Sequence, residues 1–148
     1  MLKTIKRHPF KLIASLVPSD SKTSLQFYHD VRFLKIQSLW LYAIFHNDNL
    51  VYIGSTYAKK GIYHRLRLYC WPHYSQVTNS RINKFCLDNG KLDFYGWQLS
   101  SVSKRKCSRI ENISLLLSKE SYLIESFNPI LNIKRSSEVP RINSRIRT

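Results

Sequence analysis

Two dense apolar runs flank one short polar break in "SLWLYAIFHNDNLVYIGS". The pattern predicts a pair of strands joined by a turn at Asn47-Asp48-Asn49. Further along, "GIYHRLRLYCW" sets Ile62, Leu66 and Tyr69 at helical spacing, and Pro72 stops the helix. "NSRINKFCLDNG" places Ile82, Phe85 and Cys86 on one side of a short helix, which Asn89-Gly90 ends. "KLDFYGWQL" reads as a third strand. The longest periodic run extends from about Ser108 to Phe127, opening on the capping-box pattern Ser108-x-x-Glu111 and closing at Asn128-Pro129. Strands and helices alternate, so the expected fold is a single α+β (α/β-type) domain: a small, central, mostly antiparallel sheet flanked by helices.

The ends of the chain lack this pattern. Residues 1–37 read as a basic N-terminal arm or extension, residues 38–134 as the folded domain, and residues 135–148 as a basic, Ser-rich, flexible tail. The first twenty residues loosely mimic a signal peptide, but Lys11 interrupts the apolar stretch and no small-residue cleavage site follows. With no apolar run of about 18 residues, no membrane partner is expected. Cys70, Cys86 and Cys107 are odd in number and form no C-x-x-C pair, which suits buried thiols in a reducing, cytoplasmic setting better than zinc or disulfides.

Charge changes the picture most. Twenty-four Lys and Arg stand against nine Asp and Glu, a net +15 with a pI near 10. The thicker clusters lie at Lys3–Lys11, Lys59–Arg67, Lys104–Arg109 and Lys134–Arg147. A field of this sign draws polyanions, nucleic acid or an anionic membrane surface, and of these nucleic acid is the expected partner. Charge alone leaves a basic, non-catalytic binding module open.

Two features point to chemistry. Tyr42 and Tyr52 are ten residues apart across the turn, so the hairpin puts both phenols on one face, directly opposed or one diagonal apart. Leu41, Ala43 and Phe45 then form the opposite, buried face. In the long helix the apolar stripe is Ile110, Ile113, Leu116, Leu117, Leu123, Ile124 and Phe127, and Glu120 falls inside it. A carboxylate there is costly unless a cation or a donor meets it. It is either half of a buried ion pair with an arginine or a metal ligand at the edge of the core. The charge excess favours the second reading.

Tyr52-Ile53-Gly54, preceded by Trp40-Leu41-Tyr42, resembles the paired motif of the GIY-YIG nucleases. Gly61-Ile62-Tyr63 carries the right letters in the wrong place, after the second tripeptide and at a helix start. The resemblance continues in "HRLRLY", where Tyr69 follows Arg65 by four residues, and in "ESYLIESFNPILN", where Pro129 and Asn132 follow Glu120 by nine and twelve. It covers Trp40 to Ile133 and is most like the phage endonuclease II branch, with restriction enzymes of the same superfamily close behind. The departures are Trp40 in the place of the family's glycine and a longer loop between Gly54 and Arg65.

The resemblance implies a DNA endonuclease dependent on Mg²⁺, with Mn²⁺ able to substitute, and Glu120 as the sole acidic metal ligand. Tyr42 would be the general base, Tyr52 and Tyr69 would orient water and phosphate, and Arg65 would clamp the phosphate. Gly54 and Asn132 would support the site, while Lys59, Lys60, Arg67, Arg81 and Lys84 are candidate contacts to nucleic acid. Duplex DNA is the implied partner. Cutting both strands would need a homodimer, a homotetramer or sequential nicking. A phage- or prokaryote-encoded, cytoplasmic protein is implied, and a structure-specific or repair nuclease is the alternative within the same chemistry.

Overall fold

The computed structural model describes residues 9–73, 76–99 and 110–132. In chain order these form β1 (Lys11–Ser19), β2 (Lys22–Phe27), α1 (Val31–Leu34), β3 (Trp40–His46), β4 (Asn49–Thr56), α2 (Gly61–Cys70), α3 (Val77–Asn89), β5 (Leu92–Gln98) and α4 (Ile110–Phe127). The five strands make one sheet in the order β2-β1-β5-β3-β4, and every pairing is antiparallel. The expected α+β architecture is present, with two strands more than the apolar pattern predicted.

Those two strands come from the segment read as an N-terminal extension. Residues 11–27 form the β1–β2 hairpin, and β1 pairs with β5 from Lys11 to Leu16. Ile13, Ala14, Ser15 and Leu16 are buried in succession, because β1 is covered on both faces. The segment therefore shows no period-2 alternation and reads as an amphipathic element or arm. Residues 1–8, the 135–148 tail, Ser108 and Cys107 lie outside the described residues.

The central hairpin forms as predicted, but its turn is Asn47-Asp48, since His46 already pairs with Asn49. Asn47 has φ 55°, the left-handed conformation that Asn tolerates well. The register shifts between Ile44 and Phe45, leaving Val51 as an extra residue that packs with the core on the Tyr42 face. Helices α2 and α3 cover that face through Ile62, Leu66, Tyr69, Ile82 and Cys86. On the other side, α4 covers Leu41, Ala43, Phe45, Leu50 and Ile53 with Leu116 and Leu123. Leu117, placed on the buried stripe by spacing, is 46% exposed, since α4 touches the sheet along a narrower line than the stripe allows.

The misplaced Gly-Ile-Tyr has a structural cause. Gly61 opens α2 at φ +70°, and a Cβ there would collide with the backbone of Leu34, Lys35 and Ile36. Cys70 and Cys86 are free and buried, as expected. None of the described helices is long and apolar enough to cross a membrane.

Candidate active site

The site begins with the hairpin. Tyr42 pairs with Gly54 and Ile44 with Tyr52, so the two phenols sit one diagonal apart, ring centroids 6.3 Å from each other. The Tyr42 ring lies across Gly54. A Cβ there would clash with the end of the Tyr42 phenol and come within 2.8 Å of Tyr52 Cε2. That is the physical need for glycine in Tyr-Ile-Gly. On its other side Tyr42 faces Gly96 of β5, which leaves room for Trp40. The indole takes up that room, 1% exposed and edge-on to Phe33 at 5.6 Å. Crowding by Trp40 is thus relieved from β5, though its buried Nε1 finds no acceptor among the described residues.

Helix α2 lays two side chains against this pair. Tyr69 and Tyr42 share a hydrogen bond of 2.5 Å between their hydroxyls. Asn83 of α3 fixes the end of α2 by donating to the carbonyls of Tyr69 (2.8 Å) and Cys70 (3.3 Å). Arg65, one turn before Tyr69, is half-buried. Burial alone would weaken its positive charge, but the oxygens of Tyr42, Tyr69, Tyr52 and Glu120 around it more than restore it.

Glu120 comes from the opposite layer. It is half-buried on α4, and Ser55 Oγ donates to its Oε1 at 2.8 Å. Among the described residues the ion pairs are Arg32–Asp30, Lys84–Asp88 and Lys91–Asp93, so Glu120 has no salt-bridge partner within 4 Å. Desolvation pushes its carboxyl above the usual range, with Ser55 and then Arg65 pulling it back. β4 is the last strand of the sheet. The site therefore straddles the β4 edge of the sheet, with phenols and guanidinium on one side and carboxylate on the other.

Asn132 closes that edge. Its Oδ1 accepts from Ile53 N–H and its Nδ2 donates to Ile53 C=O, both at 2.8 Å, while Leu131 N–H donates to Val51 C=O at 2.8 Å. One amide side chain thus acts as a strand partner for β4 beside the site. Asn132→Ala leaves both Ile53 groups unpaired, and we expect a loss of about 1–3 kcal/mol, read as a fall in thermal midpoint.

The phenols are all shifted the same way. Burial holds Tyr42 well above the usual tyrosine range, the neighbouring Tyr52 adds to this, and Arg65 opposes it. Tyr69 and Tyr52 are raised chiefly by burial too. In the free chain all three are neutral hydrogen-bonding groups at neutral pH.

The remaining sequence-chosen residues separate into two groups. Arg81 of α3 is half-buried, and its charge reaches the Tyr52 phenol, so it borders the site. Lys59 and Lys60 are exposed in the loop before α2. Lys84 is exposed and tied to Asp88 at 2.9 Å. Arg67 is exposed and lies 4.8 Å from the Trp71 ring and 5.8 Å from that of Tyr63. Ser55 is the contact to Glu120 that spacing did not reveal. Its position beside Ile53 aims it at α4, a direction readable only once that helix is known to pack there.

No group of three or more His, Cys, Asp or Glu converges among the described residues. A lone carboxylate with one oxygen already hydrogen-bonded fits an ion that takes a single protein ligand plus phosphate oxygens and waters, as Mg²⁺ and Mn²⁺ do. It does not fit zinc.

No protein-family model and no curated protein matches the chain. Solved structures do. One is a glutamate-to-alanine mutant of bacteriophage T4 EndoII, 23% identical with a TM-score of 0.60, covering 90% of this chain and 98% of that one. Another is the restriction endonuclease HPY188I in complex with product DNA, 18% identical with a TM-score of 0.51, covering 90% of this chain and 84% of that one. The chain has the fold of these two endonucleases, as the likeness of its motifs to the GIY-YIG nucleases and their phage endonuclease II branch implied.

Proposed function

We propose that this chain is a DNA endonuclease that hydrolyses phosphodiester bonds with the help of one divalent cation, Mg²⁺ or Mn²⁺. The observation that carries the reading is Glu120: a half-buried carboxylate with no ion-pair partner among the described residues, facing Arg65 and three phenols across a sheet edge. The shared fold with two endonucleases supports the class of reaction, and the HPY188I complex supports DNA as the partner. The net charge of +15 suits either nucleic acid and adds affinity that falls steeply with salt.

Glu120 would hold the ion, with Ser55 fixing one of its oxygens, and the bound ion would supply Lewis-acid stabilisation of charge at the phosphate. Arg65 contributes a guanidinium fork to the same phosphate as negative charge builds on it. Tyr42, as its phenolate, accepts the proton of the attacking water, Tyr69 holds the Tyr42 oxygen in place, and Tyr52 orients the water. A new P–O bond forms from water, the bond to the 3′ oxygen breaks, and that oxygen takes a proton from solvent water to leave as a hydroxyl. Arg81 borders the phosphate path, and Lys59 and Lys60 meet the flanking backbone.

Burial raises Tyr42, so its phenolate forms only on the alkaline side, where Arg65 and the bound cation favour it. The rate should therefore climb with pH through neutrality into the alkaline range. Tyr42→Phe should lower the rate by about 10²-fold and flatten that climb. Initial rates across pH with wild type and variant check this.

The class of reaction is tested on an end-labelled duplex incubated with Mg²⁺, Mn²⁺ or EDTA. Internal cuts leaving 5′-phosphate and 3′-hydroxyl ends, abolished by EDTA, are expected. A duplex that is bound yet stays intact under all conditions would reassign the chain to a binding module.

A further inference from the structure

We infer that Ser55 is a positioning residue that sets the site's affinity for its metal ion by holding the Glu120 carboxylate in one orientation. The inference rests on the nuclease reading and adds a residue to it.

A site with one protein ligand has an orientation problem. A glutamate side chain has three rotatable bonds, and ordering it costs rotamer freedom. In a site with several ligands the ion and its other donors share that ordering. Here no group of three or more acidic, histidine or cysteine side chains converges among the described residues. The carboxylate must therefore be ordered by something other than a ligand set.

Ser55 meets that need from a suitable place. Its Oγ–H donates to Glu120 Oε1 at 2.8 Å, joining residues 65 apart in sequence. Strand alternation turns Ser55 and Ile53 toward α4, while Tyr52 and Gly54 turn toward α2. One stretch of β4 thus places Tyr52 on one side of the sheet edge and holds the carboxylate on the other. Ile53, two residues before Ser55, is clamped through both backbone groups by Asn132, so this part of the strand is rigid. With Oε1 engaged by Ser55, Oε2 has no hydrogen-bond partner among the described residues. The arrangement would leave the other carboxylate oxygen for the ion, which suits a cation that needs only one or two carboxylates and keeps several waters. Hydrogen-bonded supports of this kind commonly change metal affinity or activity by about 10–100-fold when removed.

The test compares Ser55→Ala and Ser55→Thr with the wild type. Mn²⁺ binding is read from the paramagnetic resonance of the free ion, with the nicked product duplex present so that a phosphate is available. Ser55→Ala should weaken Mn²⁺ binding about tenfold or more and raise the half-saturating Mg²⁺ for cleavage in parallel, with most of the rate regained at saturating Mg²⁺. Ser55→Thr keeps the hydroxyl, suits a strand, and should restore both. If Ser55→Ala binds Mn²⁺ as the wild type does, the inference is overturned, whatever happens to its melting temperature. If the wild type takes up no Mn²⁺ in the presence of DNA, the metal-dependent reading itself falls, and Ser55 with it.

Discussion

Glu120→Gln should fold at least as well as the wild type and cut DNA about 10³-fold more slowly or worse. The loss follows from the role of the side chain: charged groups aimed at a transition state contribute about 10²–10³-fold each, and this one also holds the ion. The gain in stability follows from its surroundings. Burial raises the Glu120 carboxyl, and among the described residues no cation pairs with it. A carboxyl raised in the fold favours the protonated form there, so at neutral pH the folded state carries the cost of a partly desolvated charge. That cost disappears as pH falls through the raised value. Glutamine removes it at every pH and still accepts from Ser55. We expect a gain of about 1 kcal/mol at neutral pH, or about 2–4 °C in thermal midpoint. The difference between variant and wild type should shrink on acidification. Melting curves at neutral and acidic pH, beside single-turnover rates, check both halves.

Arg65→Ala should cost about 10²–10³-fold in rate, and Arg65→Lys should recover only part of it. A lysine keeps the positive charge but loses the planar fork that grips two phosphate oxygens. Arg65 lies among Tyr42, Tyr52, Tyr69 and Glu120, so its removal also takes away the charge that opposes the upward shift of those phenols. The alkaline climb in rate should then move to still higher pH. Losing a single phosphate contact should reduce the salt slope of binding by about one. A fall in rate without a comparable fall in affinity would mark Arg65 as acting on the transition state.

Where local pattern decides structure, the sequence was readable. The hairpin from Trp40 to Thr56 follows from two apolar runs and a polar break, and α2 and α3 follow from helical spacing with clear stops. Glu120 could be found because a carboxylate on an apolar stripe is an anomaly that spacing alone exposes. The β1–β2 hairpin was missed because β1 is buried on both faces, and continuous burial erases the alternation that marks a strand. Ser55 and Gly96 were missed for a different reason. Each acts on a neighbour brought to it by tertiary packing, Ser55 on a helix 65 residues away and Gly96 on Trp40 across the sheet.

The most direct measurement puts the wild type and Glu120→Gln on supercoiled plasmid, with Mg²⁺ and with EDTA. The wild type with Mg²⁺ should convert the plasmid to nicked or linear forms, while EDTA or the glutamine should each stop conversion with DNA binding retained. Conversion by Glu120→Gln at the wild-type rate, or by the wild type in EDTA, would contradict a metal-assisted site built on Glu120.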